Sequence, residues 1–210
     1  MVAPAVPLAD VPPLESGERM TRFDFERRYE ATLPSVKAEL IEGVVYVASP
    51  VSLAHGDDHS DLIAWLGVYR AMTPGVRVSD NATVRLDLDN EPQPDIHVRY
   101  LSSGLNRQED KYLAGAPELV VEVAASSASI DLHEKFRAYQ RNGVREYIVW
   151  RVYDRALDWF ALENGVYARL KPDEAGVIHS RVFPGLRLAV QALLDGEMET
   201  VLMEQLGPPG

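Results

Sequence analysis

Cysteine is absent from all 210 residues, which excludes a disulfide scaffold, thiolate metal sites and cysteine nucleophiles. No apolar run approaches the ~18 residues that a membrane-spanning helix needs. No lysine or arginine precedes Arg19, so the N-terminus lacks the basic start of a secretory signal. A Gly-rich phosphate loop, a helix-turn-helix pattern and a G-x-S-x-G nucleophile elbow are missing as well. The expectation is a cytoplasmic protein with no membrane association.

What is present is ordinary globular material, 46% hydrophobic and 25% charged, at a length that favours one domain with a real core. The net charge of −11 argues at first sight against nucleic acid. Much of it lies in the tails. Residues 1–18 hold three acidic residues and residues 195–210 hold four, neither with any Lys or Arg, which leaves −4 for residues 19–194. Four prolines and little periodicity mark residues 1–18 as a mobile arm. Residues 19–194 are read as the folded domain, and 195–210 as an acidic tail.

Thr21 followed by Asp24 predicts a short helix to about Tyr29. Residues 37–49 are rich in β-branched residues on either side of Glu42-Gly43, which reads as two strands around a tight turn. Leu62, Trp65, Leu66, Tyr69 and Met72 predict an amphipathic helix over 55–72. Strands are expected over 76–89, after Pro94 and over 118–124, with a loop, or a loop with a short helix, in 101–117. A second helix is expected over 131–142, with Leu132, Phe136 and Tyr139 on its buried face. A hairpin over 147–162 and two or three shorter strands complete a mixed sheet flanked by helices, an α/β or α+β domain.

The feature that stands out is Glu122, inside the apolar run LVVEVA. An ionised carboxylate there is costly unless it is paired or binds a cation. Strand alternation puts it on the face opposite Leu119, Val121 and Val123. Asp95, after Pro94, heads a neighbouring strand, and two carboxylates converging from adjacent strands suit Mg²⁺ or Mn²⁺. Lys135 flanks the apolar stripe of the following helix, from where its ammonium could reach the pair. Taken singly, each has a structural reading: an ion pair for Glu122, a solvated helix lysine for Lys135. His55 and His59 stand at i and i+4, but Gly-Asp-Asp separates them and the zinc-protease glutamate is missing. Six basic residues between Lys135 and Arg155, against Glu146 and Asp154, could form a phosphate-binding surface or a solvated face.

In order and spacing, ELIEG (39–43), SPVSLAH (49–55), Pro94-Asp95, LVVEVAASS (119–127), EKFRAYQRNGVREYIVW (134–150) and FPGLRL (183–188) resemble the bacterial putative restriction endonuclease family, a displaced-lysine variant of the PD-(D/E)xK nucleases. The resemblance spans about residues 20–190. It departs from the wider nuclease pattern in having Ala124 where a local E-x-K would place lysine; Lys135 matches the displaced position. The resemblance implies a restriction-endonuclease-like α/β fold with a mixed sheet, a C-terminal β-hairpin region and Mg²⁺- or Mn²⁺-dependent hydrolysis of DNA phosphodiesters. It further implies that Asp95 and Glu122 hold the metal, with Lys135 as the third catalytic residue. Glu39 is preferred over Glu42 as auxiliary carboxylate, and His55 is a further candidate near the phosphate or water. A homodimer would cut both strands most simply. The alternatives are a catalytically inactive nuclease-fold interaction or regulatory protein, and a hydrolase of smaller phosphoesters.

Overall fold

A computed structural model describes residues 11–33, 35–125 and 127–207. The chain runs α1 (Arg22–Glu30), β1 (Ala38–Ile41), β2 (Val44–Val47), α2 (Leu53–Met72), β3 (Val76–Asp80), β4 (Val84–Arg85), β5 (Ile96–Tyr100), β6 (Asn106–Glu109), β7 (Tyr112–Gly115) and β8 (Leu119–Ala124). There follow α3 (Ala128–Ile130), a π-turn (Asp131–Lys135), α4 (Phe136–Arg141), β9 (Glu146–Arg151), β10 (Ala156–Glu163), β11 (Val166–Arg169), β12 (Val177–His179), β13 (Arg187–Ala189), α5 (Val190–Leu194) and α6 (Met198–Leu206). The main sheet has the order β11-β10-β9-β8-β5-β3. It is mixed: β8 and β9 run parallel, and the other neighbours are antiparallel.

Helix caps follow the sequence. Thr21 Oγ1 accepts the Asp24 N–H at the start of α1, and Ser52 Oγ accepts the His55 N–H at the start of α2. The α2 helix lays Leu62, Trp65, Leu66 and Tyr69 against one face of the sheet, where Leu119, Val121 and Val123 of β8 meet them. Trp65 packs edge-on against Trp159, ring centroids 5.9 Å apart. The opposite face of β8 presents Val120 and Ala124 to Tyr139, Tyr147 and Val149. β8 is therefore buried on both faces, as a continuous apolar run in a central strand must be.

Four expectations change. Within residues 101–117, expected as loop, β6 and β7 form a hairpin, and β4 joins β7 in parallel to make a three-stranded sheet. These strands lack β-branched alternation, so the sequence signal is weak. Their end depends on Gly115, at φ 89°, where a Cβ would stand 2.4 Å from the Leu105 carbonyl oxygen. The long strand expected over 76–89 breaks at Asn81, whose φ is 48°. Of the expected arm, residues 1–10 lie outside the described residues, and 11–18 are pinned: Leu14 is buried, and the Gly17 N–H donates to the Val45 carbonyl at 2.8 Å. The acidic C-terminal stretch forms α6, which packs on α2, burying Val201 and placing Gln205 Oε1 3.2 Å from Trp65 Nε1. Its charged residues alternate with an apolar stripe, and that stripe decides its fate.

Val201→Asp is expected to lower folding stability by about 3–5 kcal/mol in urea denaturation, the scale for leaving a charge uncompensated in a packed interior. A solvated tail would leave the urea midpoint unchanged.

Candidate active site

Three elements converge on Glu122. The register of β5 against β8 pairs Ile96 with Val121, which carries Asp95 opposite Glu122 on the same sheet face. Two bonds lock the junction: the Val123 N–H donates to Asp95 Oδ2 at 2.7 Å, and the Asp95 N–H to Glu122 Oε2 at 3.4 Å. The β1–β2 hairpin brings Glu39. Its turn is made by Glu42 and Gly43, both at positive φ (52° and 71°), the geometry of a two-residue hairpin turn. Reciprocal bonds between Leu40 and Glu91 anchor the hairpin, and Glu39 Oε1 accepts the Gln93 N–H at 2.6 Å. The helical segment after β8 brings Lys135.

Lys135 Nζ stands 3.0 Å from Glu39 Oε2, 3.1 Å from Glu122 Oε1 and 3.5 Å from Asp131 Oδ1. The lysine thus points inward and joins the carboxylates. The Tyr139 hydroxyl donates to the same Glu122 oxygen at 2.8 Å. The Glu122 and Lys135 side chains are only 4% and 7% exposed, while Asp95 (17%) and Glu39 (19%) open the cluster to solvent.

Burial dominates the electrostatics. It pushes the Glu122 carboxyl well above its ordinary pKa, and neighbouring Asp131, Asp95 and Glu39 add to the rise against the pull of Lys135. Asp131 is raised for the same first reason. For Lys135 burial acts downward, but Glu122, Glu39 and Asp131 overcome it and keep the ammonium protonated. Burial also raises Asp95; His55 and the Val123 N–H outweigh it and hold Asp95 below the ordinary carboxylate range. Four carboxylates around one ammonium leave negative charge unmet, which adds to the rise that burial imposes on Glu122 and Asp131.

His55 Nε2 lies 3.4 Å from Asp95 Oδ1, and this contact raises the imidazole pKa against desolvation. His59 does not share a ligand with it: its Nε2 faces the Asp95 carbonyl oxygen and Asp80 Oδ1, each at 3.2 Å. Glu42 is not brought to the cluster. It sits at the hairpin turn and pairs with Arg141 at 2.9 Å. The basic run is also largely spent. Arg137 pairs with Glu134, Arg141 with Glu42 and Asp87, Arg151 with Asp154 and Asp158, and Arg155 with Asp195. Arg145 is exposed.

Sequence reasoning missed Asp131 and took Tyr139 for a core residue alone. The signal was there in the spacing: Asp131, Lys135 and Tyr139 recur at i, i+4 and i+8, which places them on one side of a helix. His97, directly opposite Val120 in the same sheet face, is buried and neutral, its pKa pushed down to about 4 by desolvation and by Arg99.

The donor set fits a hard divalent cation. All the site's anionic donors are carboxylate oxygens, and they outnumber the one ammonium. Also among the described residues, no three His, Asp or Glu side chains close a metal cage on their own. A cation held by two of them would keep several waters, as Mg²⁺ does.

A mixed sheet between helices, with carboxylates from adjacent central strands and a lysine from the next helix, is the frame of a restriction-endonuclease-like domain. The chain belongs to the Uma2 family, described as "putative restriction endonuclease", whose pattern matches residues 24–191. It is similar in fold to a solved structure of a putative nuclease from Anabaena variabilis, with a TM-score of 0.67 and 15% sequence identity over 84% of this chain and 98% of that one. No curated protein matches it.

Lys135→Met is expected to destabilise the fold by about 3–5 kcal/mol near neutral pH, because it strands buried carboxylates. The raised pKa values of Glu122 and Asp131 set the sign. The folded variant takes up protons on these groups at a pH where the unfolded chain has released them, so stability is highest at low pH and falls as pH rises through the folded pKa values. Urea denaturation from about pH 4 upward should show the deficit against wild type growing with pH.

Proposed function

We propose that this protein is a divalent-cation-dependent endonuclease that hydrolyses DNA phosphodiester bonds at the Asp95–Glu122–Lys135 cluster. The observation that supports this reading most strongly is the inward Lys135 ammonium, 3.1 Å from a carboxylate buried in the central strand. A structural ion pair needs one carboxylate, whereas this ammonium faces three and a fourth stands next to Glu122.

A bound Mg²⁺ or Mn²⁺ would polarise the phosphoryl group and lower the pKa of the attacking water. Asp95 and Glu122 are the residues to hold it. Asp95 is kept ionised by His55 and the Val123 N–H; Glu122 directs Oε2 toward the Asp95 side, while Lys135 and Tyr139 occupy Oε1. Lys135 supplies fixed positive charge where negative charge develops on the phosphoryl oxygens, and its ammonium hydrogens can orient the water. Glu39 shares the ammonium and fixes the hairpin edge of the site. His55 orients Asp95 from the solvent side. A homodimer would supply one such site for each strand of a duplex.

The net charge of −11 and the paired arginines favour, as a second reading, a nuclease-fold interaction protein without catalysis. The two separate in a cleavage assay at low salt with Mg²⁺ or Mn²⁺ on linear and supercoiled DNA. Asp95→Ala and Glu122→Gln should each lower cleavage by at least about 10²-fold, the scale for losing one aligned electrostatic contact, with the far-UV circular dichroism of wild type. Wild-type rates in either variant would refute the assignment, and a wild-type protein inert on every nucleic acid would favour the interaction protein.

A further inference from the structure

We propose that Asp131 is a positioning residue of this site, which holds the Lys135 ammonium to the helix side of Glu122 through a π-turn locked by Tyr147. Its effect on catalysis rests on the nuclease reading; the positioning itself does not.

Asp131 stands near the start of the helical segment, a place where an aspartate ordinarily faces water and the helix N-terminus. Here its side chain is 1% exposed. Oδ2 accepts the Ser127 hydroxyl at 2.6 Å, which aims Oδ1 at Lys135 Nζ. Between Asp131 and Lys135 the helix widens into a single π-turn, a feature that occurs often at functional sites. The Asp131 carbonyl takes the Tyr147 hydroxyl from β9 at 3.0 Å. Tyr147 packs on Tyr139, ring centroids 5.0 Å apart, and Tyr139 in turn donates to Glu122. One buried chain of contacts therefore fixes both partners of the Glu122–Lys135 pair.

The consequence lies in how Glu122 divides its oxygens. Oε1 is taken by Lys135 and Tyr139, and Oε2 is turned to Asp95. The Asp131 carboxylate, 3.5 Å away, draws the ammonium toward the helix as well as toward Glu122 and Glu39. Without that charge it would be free to move along Glu122 from Oε1 toward Oε2, the oxygen that the proposed cation needs. An extended, freely turning lysine would do the same.

The test uses the full-length protein and two readouts. Proton–nitrogen NMR of lysine ammonium groups should show one slowly exchanging signal, assigned to Lys135 by its loss in Lys135→Arg. Asp131→Asn, which keeps the size and the Ser127 contact, should shift or broaden that signal, and Asp131→Glu should restore it. In the cleavage assay Asp131→Asn should lower kcat by about 10–100-fold, the range for residues that orient a catalytic group, with KM unchanged. Should Asp131→Asn fail to fold, Ser127→Ala removes only the hydroxyl that aims Asp131 and should move the signal in the same direction. An ammonium signal unchanged in the folded variants, or a wild-type kcat in Asp131→Asn of an active enzyme, overturns the proposal. If wild type cleaves nothing while the signal responds as expected, the positioning stands and the nuclease reading fails.

Discussion

A carboxylate in the middle of a doubly buried strand is the constraint around which this molecule is arranged. Glu122 cannot be ionised there without a counter-charge, and the counter-charge comes from Lys135, thirteen residues later in the chain. Removing either partner strands the other in a medium that cannot solvate it. The helix after β8 must therefore lie with its inner side over the C-terminal half of the strand, which the parallel β8–β9 crossover provides. The hairpin carrying Glu39 must close over the same point, and its backbone bonds to Glu91 fix it there.

Packing and chemistry share residues at this point rather than occupying separate layers. Tyr139 and Tyr147 belong to the apolar cluster beneath the sheet, yet their hydroxyls end on Glu122 and on the Asp131 carbonyl. Burial pushes both phenols well above their ordinary pKa, so they stay protonated and act as donors. The other face of the sheet is different in kind. Trp65, Trp159, Phe183 and their neighbours form a plain apolar core, and the polar exceptions there, such as Gln205, answer tryptophan and backbone donors. One face of β8 is apolar packing throughout, and the other combines packing with the candidate site.

The parts of this arrangement that sequence could disclose are those with a period or a local misfit. The α2 stripe, the alternation of β8 and the Glu42-Gly43 turn are written in spacing and composition, and Glu122 is visible as a charge where none should be. The register that sets Asp95 opposite Glu122 needs long-range pairing, so Pro94 could mark the strand head but not its neighbour. The inward direction of Lys135 depends on the π-turn, which no residue type encodes, and on Ser127 and Tyr147, which are distant in function from the motif. The β6–β7 hairpin escaped because its residues lack strand propensity and it is held by Gly115 and by β4. The acidic C-terminal stretch misled through its charge, when the apolar positions Val201 and Leu202 were the informative ones. The basic run left two readings open because part of its pairing is long-range: Arg137 and Arg151 meet acids three residues away, but Arg141 and Arg155 are spent on Glu42, Asp87 and Asp195, distant in the chain.

Asp95 and Glu122 are proposed to form a divalent-cation site beside the Lys135 ammonium. The direct test is calorimetric titration of Mn²⁺ at low salt into wild type and into Asp95→Ala/Glu122→Gln. Saturable binding in wild type that vanishes in the folded double variant is the predicted result. Equal binding in both proteins, or none in wild type, would contradict the claim and leave Glu122 as a structural partner of Lys135.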